Sequence, residues 1–278
     1  MNNNKSIGVK AIQYFLLLLF AFIMFFPICW MFSCSLKTVI GISQFPPEVF
    51  PLHPQWNNYR MVFVRAPILI YAKNTVILMV GNTVGTLLSS AIVAYPLARM
   101  NFKGKRLIFI LILATMMVPT TTTLIPQYML FSKLGWVNTY LPMIVPAFFA
   151  YPYNVFLLRQ FYMGIPRSLD EAAEIDGCSK AGILFRIIVP LSKPVLITIG
   201  LLSCIFWWNE LLTPLIYIDS DLLKPLTTGA LVTFQQGFIV NWNYTMAFCV
   251  LMVLPPLIGY LCANKYLVEG IKTSGLKG

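Results

Sequence analysis

From residue 11 to residue 31 the sequence reads AIQYFLLLLFAFIMFFPICWM, without one charged side chain. A helix rising 1.5 Å per residue needs about 20 residues to cross the roughly 30 Å of hydrocarbon in a bilayer. In that medium every backbone amide must be paired within the protein, which leaves helices and closed barrels as the only spanning structures. Five more apolar runs of similar length follow, at 75–97, 107–127, 141–158, 195–212 and 246–266. The chain is 58% hydrophobic and only 10% charged, unlike an ordinary soluble domain. Pro27, Pro119, Pro146 and Pro255–Pro256 lie in or near these runs, where neighbouring groups can satisfy the freed carbonyls. The pattern predicts an all-α membrane protein with six transmembrane helices in a single domain. The first run exceeds a signal-peptide core and lacks a small-x-small cleavage site after it, so it reads as a retained helix.

The placement of lysine and arginine orients the chain. An even number of spans puts both termini on one side. With that side cytoplasmic, fourteen of the 20 basic residues lie inside, and Lys37, Arg60, Arg65, Lys73, Lys133 and Lys224 lie outside. The positive-inside bias therefore predicts a multi-pass chain with both termini cytoplasmic. The same bias accounts for the net charge of +11, so nucleic acid is not expected as a partner. The six cysteines are scattered without zinc-ligand or CxxC spacing, and the single histidine, His53, sits in a proline-rich outer loop. No metal site is expected.

Against this background the stretch 168–194, SLDEAAEIDGCSKAGILFRIIVPLSKP, is anomalous: Asp170, Glu171, Glu174 and Asp176 are four of the nine acidic residues in the chain. Ser168 and Glu171 have capping-box spacing, acids fall in the first turn, and Gly177 stands where a left-handed residue ends a helix. The spacing predicts a short helix closed at both ends. Leu169, Ala172, Ala173 and Asp176 share one side of it, and Asp170, Glu171 and Glu174 the other. A second helix is predicted from Ser179, aligning Ile183, Leu184 and Ile187. An amphipathic connector lying on the membrane is one reading. The cytoplasmic leaflet is itself anionic, so an acidic helix is better suited to docking on a cytoplasmic protein.

EAAEID followed by Gly177, with Pro190 in IIVPLSKP thirteen residues beyond, resembles the EAA signature of permease subunits in binding-protein-dependent ABC importers. Valine stands here where the signature has leucine before its proline. The likeness continues through PICWMFSCSLK, AYPLARMNFKGKR, MMVPTTTTLIPQYMLFSKLGWVNTYLPMIVP, FLLRQFYMGIPRSLDEAAEIDG, FWWNELLTPLIY, KPLTTG and EGIKTSGLKG. Together these are similar to the carbohydrate-uptake branch that includes the smaller permease of maltose importers.

The resemblance implies an ABC type I importer permease fold with a cytoplasmic coupling helix in the loop 159–194 and outer loops at 36–73 and 214–242. Ser168, Asp170, Glu171, Ala172, Ala173, Glu174, Asp176 and Gly177 would couple to the ATPase. Gly275, Leu276, Lys277 and Gly278 would form a tail reaching into the ATPase dimer. Residues 214–242 would meet an extracytoplasmic solute-binding protein. The implied partners are a second permease subunit, two ATPase copies, the binding protein, a sugar and membrane lipid. No P-loop, GxxxxGK[ST], occurs in the chain, so ATP and Mg are expected on the partner ATPase, with no cofactor here and no catalytic residues. Thr120, Asn209 and Glu210 are candidates for cavity or substrate contact. Glu210 raises the alternative of a proton-coupled secondary transporter, because an ionisable group within a span is costly. Hydroxyls that bond back to helix carbonyls and a polar anchor at a helix end are the plainer readings of Thr120 and Glu210. An ABC permease for a non-sugar solute is the other alternative.

Overall fold

The computed structural model describes residues 3–236 and 239–275, with side-chain surroundings for 9–235 and 240–261. The principal helices are α1 (Asn3–Ser35), α2 (Ile68–Arg99), α3 (Lys105–Ala114), α4 (Thr120–Lys133), α5 (Pro152–Gly164), α6 (Ser168–Ile175), α7 (Lys193–Asn209) and α8 (Trp242–Gly275). Among the described residues four stretches are long and apolar enough to cross a membrane: Val9–Ser35, Ile68–Arg99, Leu141–Gly164 and Trp242–Leu261. Two more qualify only as bent pairs, Lys105–Met117 with Thr120–Lys133 at 96° and Lys180–Leu191 with Lys193–Asn209 at 78°.

Proline chemistry sets these bends. The sequence places Pro119 inside one run, 107–127; the helix instead breaks there. Val118, directly before the proline, is extended (φ −81°, ψ 117°), because the proline ring clashes with an α-conformation at the preceding residue. Pro119 is extended too, and α4 starts afresh at Thr120. The run 141–158 is likewise interrupted. A 3-10 turn covers Val145–Phe149 and Ala150 has φ 63°; the chain then resumes with Pro152 as the first residue of α5, where its missing N–H costs nothing.

The chain packs as two units, Met1–Ile68 with Ala230–Pro255 and Leu69–Gly229 with Pro256–Gly278. In the first, α1 is largely bare from Val9 to Phe32 and becomes buried only at its end, over Ser33–Lys37. A polar cluster fixes that end. Asn58 Nδ2 donates to the carbonyls of Ser35 (2.8 Å) and Lys37 (2.9 Å), and Asn58 Oδ1 accepts from Asn243 Nδ2 (3.2 Å). Two two-residue strands, β1 (Gln235–Gln236) and β2 (Ile239–Val240), pair antiparallel with Gln235 opposite Val240.

The second unit holds the larger core. Ala94, Tyr95 and Ala98 of α2 pack with Val155, Leu158 and Tyr162 of α5, and with Ala173, Ile183, Leu184 and Ile188. A smaller core gathers Leu78, Met143, Tyr217 and Ile218. Beside it, Asn74 Nδ2 donates to the carbonyls of Leu222 and Lys224, and Thr75 Oγ1 accepts from the Leu226 amide at 2.8 Å. The approach of α2 to the Val145–Phe149 turn requires Gly85: a Cβ there would lie 2.8 Å from the Phe148 ring.

Candidate functional site

The acidic helix α6 starts one residue earlier than the capping-box spacing predicts. Its N-cap is Arg167, which has no side-chain cap, and the Asp170 and Glu171 amides donate to the Arg167 carbonyl at 2.9 and 3.1 Å. Ser168 is inside the first turn, and its hydroxyl takes no part in capping. The Asp170 carboxylate faces the Arg99 guanidinium.

The C-terminal end follows the sequence expectation. Gly177 has φ +76°. The Gly177 amide donates to the Glu174 carbonyl at 3.0 Å and the Cys178 amide to the Ala173 carbonyl at 2.8 Å. These two bonds are the Schellman closure, which satisfies carbonyls that would otherwise be orphaned. The next residues restart the helix, with Ser179 Oγ accepting from the Gly182 amide at 3.2 Å. A π turn over Leu184–Ile188 follows, closed by the Val189 amide on the Leu184 carbonyl. The extra residue in that turn shifts the register. Ile188 joins Ile183 and Leu184 as fully buried core residues, and the expected Ile187, half-buried, packs against them.

Burial sorts the helix faces differently from a simple wheel. Ala173 is buried and Asp170 largely so, whereas Ser168, Leu169, Glu171, Ala172, Ile175 and Asp176 are exposed. The four-residue face expected for docking is therefore split. Ala173 anchors α6 to the core, and Leu169, Ala172 and Ile175 form the outward stripe at i, i+3 and i+6. Ile175 is 87% exposed. Glu174 pairs with Lys180 across the Gly177 turn, with both side chains about half exposed; a pair that wet contributes little to stability.

The residue that sequence reasoning missed as part of this site is Arg99, the last residue of α2. Its side chain is 3% exposed. Nη1 donates to the Ile165 carbonyl at 2.8 Å and Nη2 reaches the Pro166 carbonyl at 3.4 Å. Nε lies 3.2 Å from Asp170 Oδ2, whose side chain is 14% exposed. Two further cations sit on the same helix end: Arg159 Nε donates to the Leu97 carbonyl (3.0 Å), and Lys105 Nζ to those of Met100 (2.8 Å) and Ala98 (3.3 Å). Carbonyls at a helix C-terminus carry partial negative charge, so these contacts are favourable.

The remaining candidates fall elsewhere. Asn209 is exposed and donates back to the Ile205 carbonyl at 2.8 Å. Glu210 Oε1 accepts from the Thr213 amide (2.8 Å) and hydroxyl (2.6 Å), capping the short helix Leu212–Tyr217. Thr120 is exposed, and its neighbours Thr122 and Thr123 bond back to the carbonyls of Pro119 and Thr120. No hydrogen bond joins Thr120 to Asn209 or Glu210 among the described residues. Of the tail, Gly275 ends α8, and Leu276, Lys277 and Gly278 lie outside the described residues. Among the described residues no His, Cys, Asp and Glu group is placed to hold a metal.

The geometry is that of a helical chain with membrane-length apolar spans and a short helix held to the core on one face and bare on the other. The chain belongs to the family described as binding-protein-dependent transport system inner membrane components, whose profile matches residues 81–273. It is 33% identical over 254 residues to SmoH, the sulfoquinovosyl glycerol transport system permease protein of Agrobacterium fabrum, covering 91% of this chain and 89% of that one. It is 32% identical over 265 residues to AraQ, an arabinooligosaccharides transport system permease protein of Halalkalibacterium halodurans, covering 93% of each. Its fold matches a chain in the crystal structure of a bacterial ABC transporter involved in import of the acidic polysaccharide alginate, with TM-score 0.84 and 24% identity over 96% of this chain and 98% of that one. It is thus an ABC transporter permease subunit and not an enzyme.

Proposed function

We propose that this chain is one of two permease subunits in an ATP-driven importer of carbohydrates, working by alternating access between inward-open and outward-open forms. The observation that carries the reading is the outward stripe Leu169–Ala172–Ile175, presented by a helix whose opposite face is locked into the core by Ala173. An exposed apolar stripe flanked by Glu171 suits a groove on a cytoplasmic ATPase. Two ATPase copies, a second permease subunit and an extracytoplasmic binding protein complete the assembly, with ATP and Mg held by the ATPase. Both termini are cytoplasmic in this reading, and Gly275–Gly278 reach the ATPase dimer. The saccharide and glycoside cargo named for SmoH and AraQ supports a sugar substrate. The capping role of Glu210 argues against the proton-coupled alternative, since its carboxylate is occupied by Thr213.

The test is a photocrosslinker at Ala172 in the assembled transporter. It is expected to capture the ATPase, and capture of lipid alone overturns the docking role. In the same assembly Glu171→Lys or Gly177→Pro is expected to abolish uptake while the chain remains in the membrane.

A further inference from the structure

The contacts of Arg99 converge on one joint. Its backbone ends α2, two of its nitrogens hook carbonyls at Ile165 and Pro166, and its Nε faces a carboxylate in the first turn of α6. Ile165 and Pro166 are the two residues between α5 and the N-cap of α6. One side chain therefore ties together the end of α2, the end of α5 and the start of α6.

The energetics show that stability alone does not account for this pair. Removing two charges from water is costly, and their attraction repays it only when the remaining polar atoms are also satisfied. Here they are not. Asp170 Oδ1 is buried without a hydrogen-bond partner, and Arg99 Nε faces Asp170 without the alignment of a hydrogen bond. A well-packed apolar pair at this position would hold the joint at lower cost. What an apolar pair lacks is direction: the guanidinium's hydrogen bonds to the Ile165 and Pro166 carbonyls constrain angle as well as distance, and its charge holds the Asp170 carboxylate beside them, so displacement of one element is passed to the others.

We propose that Arg99 is a positioning residue that makes the end of α2 and the docking helix α6 move as one body when the motor subunit acts. Arg99 touches neither solute nor nucleotide; it acts through Asp170 and the Ile165 and Pro166 carbonyls. The inference rests on the docking role proposed above for α6. Tyr95 of α2 and Ala173 of α6 pack in the same core, so loss of the pair is expected to loosen the start of α6 while that core stays assembled.

The experiment uses the full transporter with nitroxide labels at Lys103, in the turn after α2, and at Glu174, off the outward stripe of α6, the native cysteines being replaced. The distance between labels is measured without nucleotide and with Mg-ADP-vanadate. With Arg99 and Asp170 intact it is expected to be the same in both states. In Asp170→Asn and Arg99→Gln it is expected to shift between states, and binding-protein-stimulated ATP hydrolysis to fall by a factor of about 2 to 30. Arg99→Lys, which keeps the charge but not the fork, is expected to fall between. A distance that changes with nucleotide in the unsubstituted chain, or stays fixed in the Asp170→Asn and Arg99→Gln variants, overturns the proposal. If the Gln and Asn variants fail to accumulate and Arg99→Lys couples normally, Arg99 is structural and the proposal also fails. Crosslinking from Ala172 in the same samples separates the two readings: its loss in the unsubstituted chain sinks the docking role, whereas its persistence with a fixed distance in the variants sinks only the positioning role.

Discussion

Gly177 shows how far a single residue can be read before any coordinates. Its place after an acidic, alanine-containing turn marks a left-handed helix end, and it has φ +76° with open space around a Cβ. The penalty for a side chain there is therefore one of backbone conformation and not of crowding. Gly177→Ala is expected to cost about 1 kcal/mol, seen as a lower Tm of the purified transporter, and Gly177→Asn less, because asparagine tolerates that region. Equal losses for the two would point to some other cause. Arg99 was illegible for the opposite reason. Nothing near it in AYPLARMNFKGKR names a carboxylate far along the chain, and a terminal arginine on an inner loop is fully explained by the positive-inside bias. The wheel grouped Asp170 with Glu171 and Glu174, but only packing decides which of the three turns inward.

Helices and turns follow rules whose outcome depends on neighbours. Apolar runs predicted the spans, yet Pro119 breaks one of them, because the local restriction on Val118 outweighs any satisfaction of freed carbonyls. The π turn at Leu184–Ile188 was invisible because a one-residue insertion leaves no compositional trace. Its trace is the full burial of Ile188 beside Ile183 and Leu184, with Ile187 half-buried against them. The bond that closes it, Val189 amide to Leu184 carbonyl, would become an ordinary α-helical bond if one residue between them were removed. Deleting the half-exposed Phe185 is therefore expected to leave Ile183 and Ile188 on one face and the chain stably inserted. Deleting Leu157 in regular α5 should rotate Leu158 and Tyr162 out of the core and prevent accumulation. Such turns recur at functional sites, so uptake by the Phe185-deleted transporter is the further quantity to measure. Comparable instability of both deletions would refute the register argument.

For the chain as a whole, charge placement carried the topology and family resemblance carried the architecture; the fold match to an ABC importer permease supports the second. The first is open to measurement. In intact cells, a cysteine introduced at Lys103 is expected to resist a membrane-impermeant maleimide and one at Leu222 to react. The reverse pattern would invert the orientation and place α6 on the wrong side for an ATPase.

α1 shows aliphatic and aromatic side chains around its whole circumference from Val9 to Phe26. A helix greasy on every flank has no preferred side over that stretch, so its rotation is set at the far end, where Asn58 holds the Ser35 and Lys37 carbonyls. Along the bare stretch any surroundings apolar enough will serve, a lipid annulus or an adjoining protein alike. Exchange of bilayer for micelle is accordingly expected to disturb the Val9–Phe26 stretch first, while the cores beyond Leu69 keep their internal packing.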